Sequence, residues 1–206
     1  MAFQSVWYFS NLPEDIVEII DKDLSSNFDS QMGDSMLIGD ALNKDKRNSR
    51  NAWVPTNHWL GGFMWHYIQR ANRENFLYDL RNIDGESMQY TQYGPGQFYG
   101  WHNDAGIAGH YKPQAVGNRV DGLASDFVNE NIELVRKLSF VVQLSDPDDY
   151  EGGNFQLLSE DGKSYFAPRK RGTVIVFDSR AQHRVLKVTK GLRKSLVGWV
   201  VGPRWK

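Results

Sequence analysis

Tyr93-Gly94-Pro95-Gly96-Gln97-Phe98-Tyr99-Gly100-Trp101-His102-Asn103-Asp104 opens on a Gly-Pro-Gly turn and closes with a carboxylate two residues after an imidazole. Gln97 to Asp104 is rich in aromatic residues and reads as a strand. Side chains alternate along a strand, so His102 and Asp104 are expected on one face and Trp101 and Asn103 on the other. An imidazole and a carboxylate on adjacent same-face positions can both reach one metal ion. An H-x-D tripeptide is common in itself, and a lone histidine is more often a surface or satisfied core residue. The surroundings have to decide.

Outward from this segment, Phe76 to Leu80 and Ser87 to Tyr93 precede it as expected strands, broken by Asp-Gly and Gly turns. Leu138 to Leu144, Asn154 to Leu158, Thr173 to Phe177 and Ser195 to Val201 follow. The N-terminal third reads mainly helical. Pro13 suits a first helical turn, Glu14 and Asp15 suit the helix dipole, and Ile16, Val17, Ile19, Ile20 and Leu24 supply an apolar face. A second helix is expected over Asn57 to Arg73, where Trp59, Leu60, Phe63, Met64, Tyr67, Ile68 and Ala71 recur at helical spacing. Asn43 to Asn51 reads as a loop. Helices followed by at least seven short strands predict an α+β fold, a β-sandwich or jelly roll backed by helices. A single domain over residues 1–206 is expected, with helical support to about residue 75 and the β core from about residue 76.

Composition closes several routes. Lys and Arg number 24 against 25 Asp and Glu, a net charge of -1, so no global field invites nucleic acid or an anionic membrane. The chain has no cysteine, which excludes thiolate chemistry and cysteine metal sites. No apolar stretch approaches spanning length and no signal-peptide pattern opens the chain, so a reducing, cytoplasmic setting without membrane contact is expected. His58, His66 and His110 lack a same-face carboxylate in a strand and read as structural.

A third ligand must come from elsewhere. His183 is the best candidate, because it follows the strand Thr173 to Phe177 and the turn Asp178-Ser179-Arg180. Two histidines and one carboxylate on one face of an octahedron leave three positions open, as in non-haem Fe(II) oxygenases. The surrounding motif is more specific than any part of it. Tyr93 to Asp104 resembles the Y-x-x-G-x-x-Y-x-x-H-x-D pattern of the prolyl 4-hydroxylase-like Fe(II)/2-oxoglutarate oxygenases. Glu151-Gly152-Gly153-Asn154-Phe155, Gly172 to Phe177, His183 and the basic Arg193 ten residues later continue the likeness. Arg50-Asn51-Ala52-Trp53 and the helix after it resemble the region preceding that core.

The resemblance implies a double-stranded β-helix (cupin-like) core, Fe(II) held by His102, Asp104 and His183, and 2-oxoglutarate and O2 as co-substrates. Arg193 presents a planar fork suited to the distal carboxylate of 2-oxoglutarate. Ser195 lies two residues on, hence on the same face, while Lys194 is expected on the opposite face in solvent. The resemblance gives Tyr93 a phenol contact to the co-substrate, and strand alternation suggests the same for Gln143. Typical animal and plant prolyl 4-hydroxylases carry Lys where this chain has Arg193, whereas a bacterial branch uses Arg. The implied reaction hydroxylates a C–H bond and releases succinate and CO2. A protein or peptide substrate, at proline first, is expected on family grounds, with a small molecule as the alternative and nucleic acid not expected. A non-catalytic cupin-like binding module is the reading from a different class. The interval Ala105 to Lys137 is long for a connection and is expected to act as a substrate-gating lid carrying His110, Tyr111, Lys112 and Arg119.

Overall fold

The computed structural model describes residues 5–37, 43–84, 87–105, 134–159 and 162–205. Most of the interval expected to form a lid, with His110, lies outside these residues. All strand pairs are antiparallel. The large sheet runs β1 (Val6–Phe9), β12 (Val174–Asp178), β8 (Leu134–Gln143), β15 (Arg193–Pro203), β6 (Ser87–Tyr93), β4 (Arg50–Pro55) and β2 (Gly33–Asp34), with β5 (Asn82–Ile83) also on β15. A smaller sheet runs β11 (Ser164–Phe166), β10 (Phe155–Leu158), β13 (His183–Val185), β7 (Phe98–His102) and β3 (Arg47–Asn48). β9 (Tyr150–Gly152) and β14 (Val188–Gly191) form a separate ribbon. The expected β-rich core backed by helices is present.

Helices α1 (Glu14–Phe28) and α2 (Trp59–Ala71) pack on the large sheet. In α1 the buried residues are Val17, Ile20, Leu24 and Phe28, one stripe at helical spacing, whereas Ile19 is exposed. In α2 Leu60, Met64, Ile68 and Ala71 do the same. They meet Leu138, Phe140 and Val142 of β8, Val174 and Val176 of β12, and Leu196 and Val200 of β15. Each such buried aliphatic or aromatic side chain contributes roughly 1.5–3 kcal/mol. The alternate residues Val141, Ile175 and Phe177 pack with Phe155, Leu157 and Val185 of the smaller sheet. The central strands are therefore covered on both faces, which explains their nearly unbroken apolar runs. Among the described residues, no helix is long and apolar enough to cross a membrane.

Three expectations need correction. The N-terminal third is not helix and loop alone, because β1 to β4 arise from it and join both sheets. Part of the expected loop Asn43 to Asn51 is thus β3 and the start of β4. Phe76 to Leu80 is not a strand. The chain leaves α2 through a π-helical turn, Asn72–Phe76, and Leu77 sits at φ 56°. Asn72 enforces this, since its Oδ1 accepts from the Tyr78 amide at 2.8 Å and its Nδ2 donates to the Tyr78 carbonyl at 2.9 Å. A side chain that satisfies the backbone locally removes the demand for a ladder.

Gly198 faces Phe140 across the β8–β15 pair, and a Cβ at Gly198 would lie 2.4 Å from the ring. Gly198→Ala should cost about 1–3 kcal/mol by overpacking, and Phe140→Ala about 3–5 kcal/mol by cavity formation. The double variant should lose less than the two separate losses combined, because truncating Phe140 makes room for the new methyl. Urea unfolding of the three variants measures this, and strict additivity would mean that the ring does not rest on the glycine.

Candidate metal centre and its cavity

His183 and His102 are register partners across β13 and β7, so strand pairing sets the two imidazoles side by side, with ring centroids 4.1 Å apart. Asp104 is placed differently from the expectation. β7 ends at His102, and strand alternation does not carry on to residue 104. Instead the Asp104 amide donates to the Ser179 carbonyl at 2.9 Å, which fastens it to the turn after β12. Its Oδ1 lies 3.8 Å from His102 Nε2 and its Oδ2 lies 3.6 Å from His183 Nε2. One ligand atom from each of the three residues falls within 4.8 Å of the others.

The backbone fixes both imidazoles in one tautomer. His102 Nδ1 is 2.8 Å from the Gly100 carbonyl and His183 Nδ1 is 3.0 Å from the Ala181 carbonyl, in each case two residues back. A carbonyl can only accept, so Nδ1 carries the proton and the Nε2 lone pair is left facing the cluster. Burial, reinforced by neighbouring His183, pushes the His102 imidazole down to about 3, so it is neutral near pH 7. Burial opposes ionisation of Asp104, but His183, His102 and the Ser139 hydroxyl outweigh it and hold the carboxyl below its usual range. Ser139 Oγ donates to Asp104 Oδ2 at 2.5 Å and lies 3.0 Å from Ser179 Oγ. Two imidazoles with Nε2 turned to the cluster and a buried, oriented carboxylate suit a divalent metal ion.

Arg193 is 1% exposed. Its Nη2 donates to Gln143 Oε1 at 2.9 Å, its Nη1 to Ser195 Oγ at 3.4 Å, and the guanidinium lies 5.4 Å from the Tyr93 ring centroid. Burial lowers its pKa, with the Tyr93 and Tyr150 phenols acting in the opposite sense. Arg193 lacks a carboxylate partner among the described residues. Gln143 is committed on both sides, because its Nε2 donates to the Pro168 carbonyl at 3.2 Å. It therefore sits behind Arg193, while Arg193, Ser195 and Tyr93 line the cavity together with His102, Asp104 and His183. Lys194 does alternate to the other face, yet it is not simply solvated. Its Nζ lies 2.6 Å from both carboxylate oxygens of Asp21 on α1.

Three buried side-chain atoms lack a partner among the described residues: Arg193 Nε, Thr91 Oγ1 and Trp199 Nε1. All three residues line this same cavity. Buried polar groups are rarely left orphaned unless a ligand or water completes them. Sequence reasoning missed Ser139, Thr91, Trp199 and Tyr150. Ser139 did leave a trace, as a hydroxyl in the otherwise apolar middle of β8. Arg169 was also missed. It donates to the carbonyls of Pro147, Tyr150 and Gly152 and to Asn154 Oδ1, and so rivets the loop that presents Tyr150. His58 is structural as expected, since its Nδ1 accepts from the Leu60 amide and its Nε2 meets Asp23 at 3.0 Å.

Fold and site together define a class, the double-stranded β-helix proteins with two histidines and one carboxylate set opposite a buried arginine. The sequence profile of the 2OG-Fe(II) oxygenase superfamily matches residues 88–201, more than half of the chain. A PKHD-type hydroxylase of Picosynechococcus sp. is 32% identical over 136 residues, which cover 65% of this chain and 51% of that protein. The chain thus spans about half the length of this curated relative. A Pseudomonas putida prolyl-4-hydroxylase superposes with TM-score 0.65 at 18% identity, over 98% of this chain and 94% of that one. A Trichoplax adhaerens prolyl hydroxylase, solved with a peptide fragment of a hypoxia inducible factor degradation domain, gives TM-score 0.70 at 15% identity, over 95% and 83%. The chain belongs to the 2OG-Fe(II) oxygenase superfamily, a family of enzymes whose chemistry implies Fe(II) and 2-oxoglutarate.

Gly153 adopts φ 61°, and a Cβ there would lie 2.8 Å from Val188 Cγ2 and 3.2 Å from both Arg193 Cδ and the Tyr150 ring. Gly162 has φ 80° with open space around it. Gly162→Ala should therefore cost about 1–2 kcal/mol of backbone strain alone. Gly153→Ala should cost about 1–3 kcal/mol more through overpacking against the arginine. Denaturant midpoints of the two variants compare them, and equal losses would show that the Arg193 side chain does not need the glycine.

Proposed function

We propose that this chain is a hydroxylase that inserts one oxygen atom into a C–H bond of a protein or peptide substrate, using Fe(II), 2-oxoglutarate and O2. The observation that carries this reading is the cavity itself. A tautomer-fixed His-Asp-His cluster lines it with a buried arginine that has no anionic partner among the described residues, and the orphaned polar atoms line the same space. His102, Asp104 and His183 would hold Fe(II). Arg193, with Ser195 and the Tyr93 ring beside it, would hold the distal carboxylate of 2-oxoglutarate.

When bound, Fe(II) and 2-oxoglutarate would supply the oxidising power, one oxygen atom of O2 going to the new hydroxyl group and the other to succinate, with CO2 released. This chain's residues bind, orient and exclude water. Ser139 keeps Asp104 aimed by donating to its Oδ2, and Gln143 keeps the Arg193 fork in place. Val141, Phe155, Phe177, Val185 and Val197 wall the cavity with apolar surface, which limits solvent around the reacting groups. The curated relative's name supports a hydroxylase, and the names of the structural neighbours, one solved with a peptide, support a peptide substrate, tested first at prolyl residues.

Calorimetric titration under anaerobic conditions, followed by succinate release and a mass gain of one oxygen on candidate peptides, tests the reading. His102→Ala, Asp104→Ala and His183→Ala should each abolish tight Fe(II) binding, and wild-type affinity in any one of them would remove that residue from the set. Ser139→Ala should weaken Fe(II) affinity by about 10–100-fold through loss of ligand orientation. Arg193→Ala should leave Fe(II) binding intact and weaken 2-oxoglutarate at least about 30-fold, because one partner of a buried charge pair is gone. Unchanged 2-oxoglutarate affinity would place the co-substrate elsewhere.

A further inference from the structure

Among the described residues two arginines are buried, Arg193 and Arg47, and both line the cavity that holds the triad. The proposed function employs only Arg193. Arg47 lies in β3, opposite Tyr99 of β7, and is 6% exposed. Its Nε donates to Ser49 Oγ at 3.0 Å and its Nη2 to Gln89 Oε1 at 3.1 Å. Both acceptors are neutral. A guanidinium has five N–H donors, so these bonds leave donors to spare. Its Cζ stands 4.8 Å from the Tyr99 ring centroid, and Tyr99 stacks on His102 with centroids 3.6 Å apart. The cation thus sits at the far side of one aromatic ring from a triad histidine.

Arg47 also lines a second, larger cleft of about 590 Å³ that shares Gln89, Tyr99, Asp104 and Trp199 with the triad cavity. Trp53, Met36 and Leu37 give this cleft an apolar wall. Its size is that of a small-molecule or single-residue site. The other cations near it are already neutralised. Arg136 Nε lies 2.5 Å from Asp84, and Asp34, which lines the cleft, is 2.9 Å from Lys44. Arg47 has no carboxylate partner among the described residues. A buried charge held only by neutral groups is costly, and Arg47 lines both cavities, where a charged ligand would reach it.

We propose that Arg47 is the anion-binding residue of the substrate cleft, and that the molecule oxidised here carries a carboxylate that pairs with its guanidinium. One uncompensated cation balances one carboxylate, whereas a phosphate dianion would need a second that the described residues do not offer. The planar fork also matches the two oxygens of a carboxylate. The carboxylate can belong to a free organic acid or to an acidic residue of a peptide. This inference rests on the hydroxylase reading and deepens it by adding a second anion site to that of 2-oxoglutarate.

The test uses matched pairs. Free amino acids and dicarboxylic acids are compared with their carboxamides, and peptides containing Asp or Glu with their Asn or Gln counterparts. Fe(II) and 2-oxoglutarate binding by the wild-type protein is measured first by calorimetry. Succinate formation and the gain of one oxygen are then followed for each pair. Acids should outperform their amides, with KM lower by at least about tenfold, and Arg47→Gln should erase the difference while 2-oxoglutarate affinity stays at the wild-type value. Arg47→Lys should restore part of it. The fluorescence of Trp53 and Trp199 gives a readout without turnover, because the preferred acid should quench it saturably in metal-free wild-type protein and not in Arg47→Gln. Success among the free acids identifies a metabolite, and success among the peptides an acidic side chain. A wild type that binds Fe(II) and 2-oxoglutarate but favours no acid over its amide overturns this inference alone. A wild type that binds neither removes the hydroxylase reading with it. The wild-type comparison needs no variant, so a failure of Arg47→Gln to fold does not shelter the idea.

Discussion

The pairing of β8 with β15 is the constraint from which the rest follows. Both strands are buried on both faces, so every alternate side chain enters one of two interiors. Leu138, Phe140, Val142, Leu196 and Val200 go to the helices. Ser139, Val141, Gln143, Arg193 and Ser195 go to the other side, toward the smaller sheet or the cavity between. The first interior is oily and supplies stability. The second has to accommodate hydroxyls, an amide and a full positive charge, and that is tolerable only where polar partners converge. A one-residue slip of β15 on β8 would exchange the two sets and place Arg193 among the helices.

The triad depends on a different kind of support. Neither histidine has its Nδ1 held by a side chain, although Tyr99 stacks on His102 and Phe177 meets His183 edge-on. Each is fixed by a carbonyl of its own strand or turn two residues upstream, so the tautomer comes with the backbone conformation. Asp104 instead borrows its position from the turn after β12, through the Ser179 carbonyl and the Ser139–Ser179 hydroxyl pair. The cluster thus joins two segments distant in sequence, 102–104 and 183, braced by Ser139 from a third, and its precision is that of the sheets that carry them. Rigid elements hold such geometry better than loops do.

The cavity also explains where this structure gives up stability. Two buried guanidinium groups and three orphaned polar atoms stand around it, each unfavourable without a ligand. Ligands that bind only the folded state return that free energy by mass action. The helix-facing interior, where the packing is apolar, carries the corresponding surplus.

The sequence by itself determined four of the residues that line the cavity and the class of fold that carries them. His102, Asp104, His183 and Arg193 were legible because the aromatic H-x-D segment and the distal glycine-strand-histidine-arginine spacing are long and specific. Strand alternation does not place Asp104, because β7 ends at His102 and the Ser179 carbonyl holds the Asp104 amide. Strands β1 to β3 escaped notice because short edge strands carry little periodicity, and β4 because only Ala52 and Val54 alternate inward before Pro55 ends it. The run Phe76 to Leu80 misled because Asn72 satisfies its backbone locally. Which face of β8 and β15 is polar, which neighbour of Arg193 touches the cavity and which stands behind it, and that Arg47 lies against Tyr99, were decided only by the tertiary structure. In strands buried on both sides the hydrophobic pattern no longer marks inside from outside, and partners 50 residues apart, such as Gln143 and Arg193, leave no local signal.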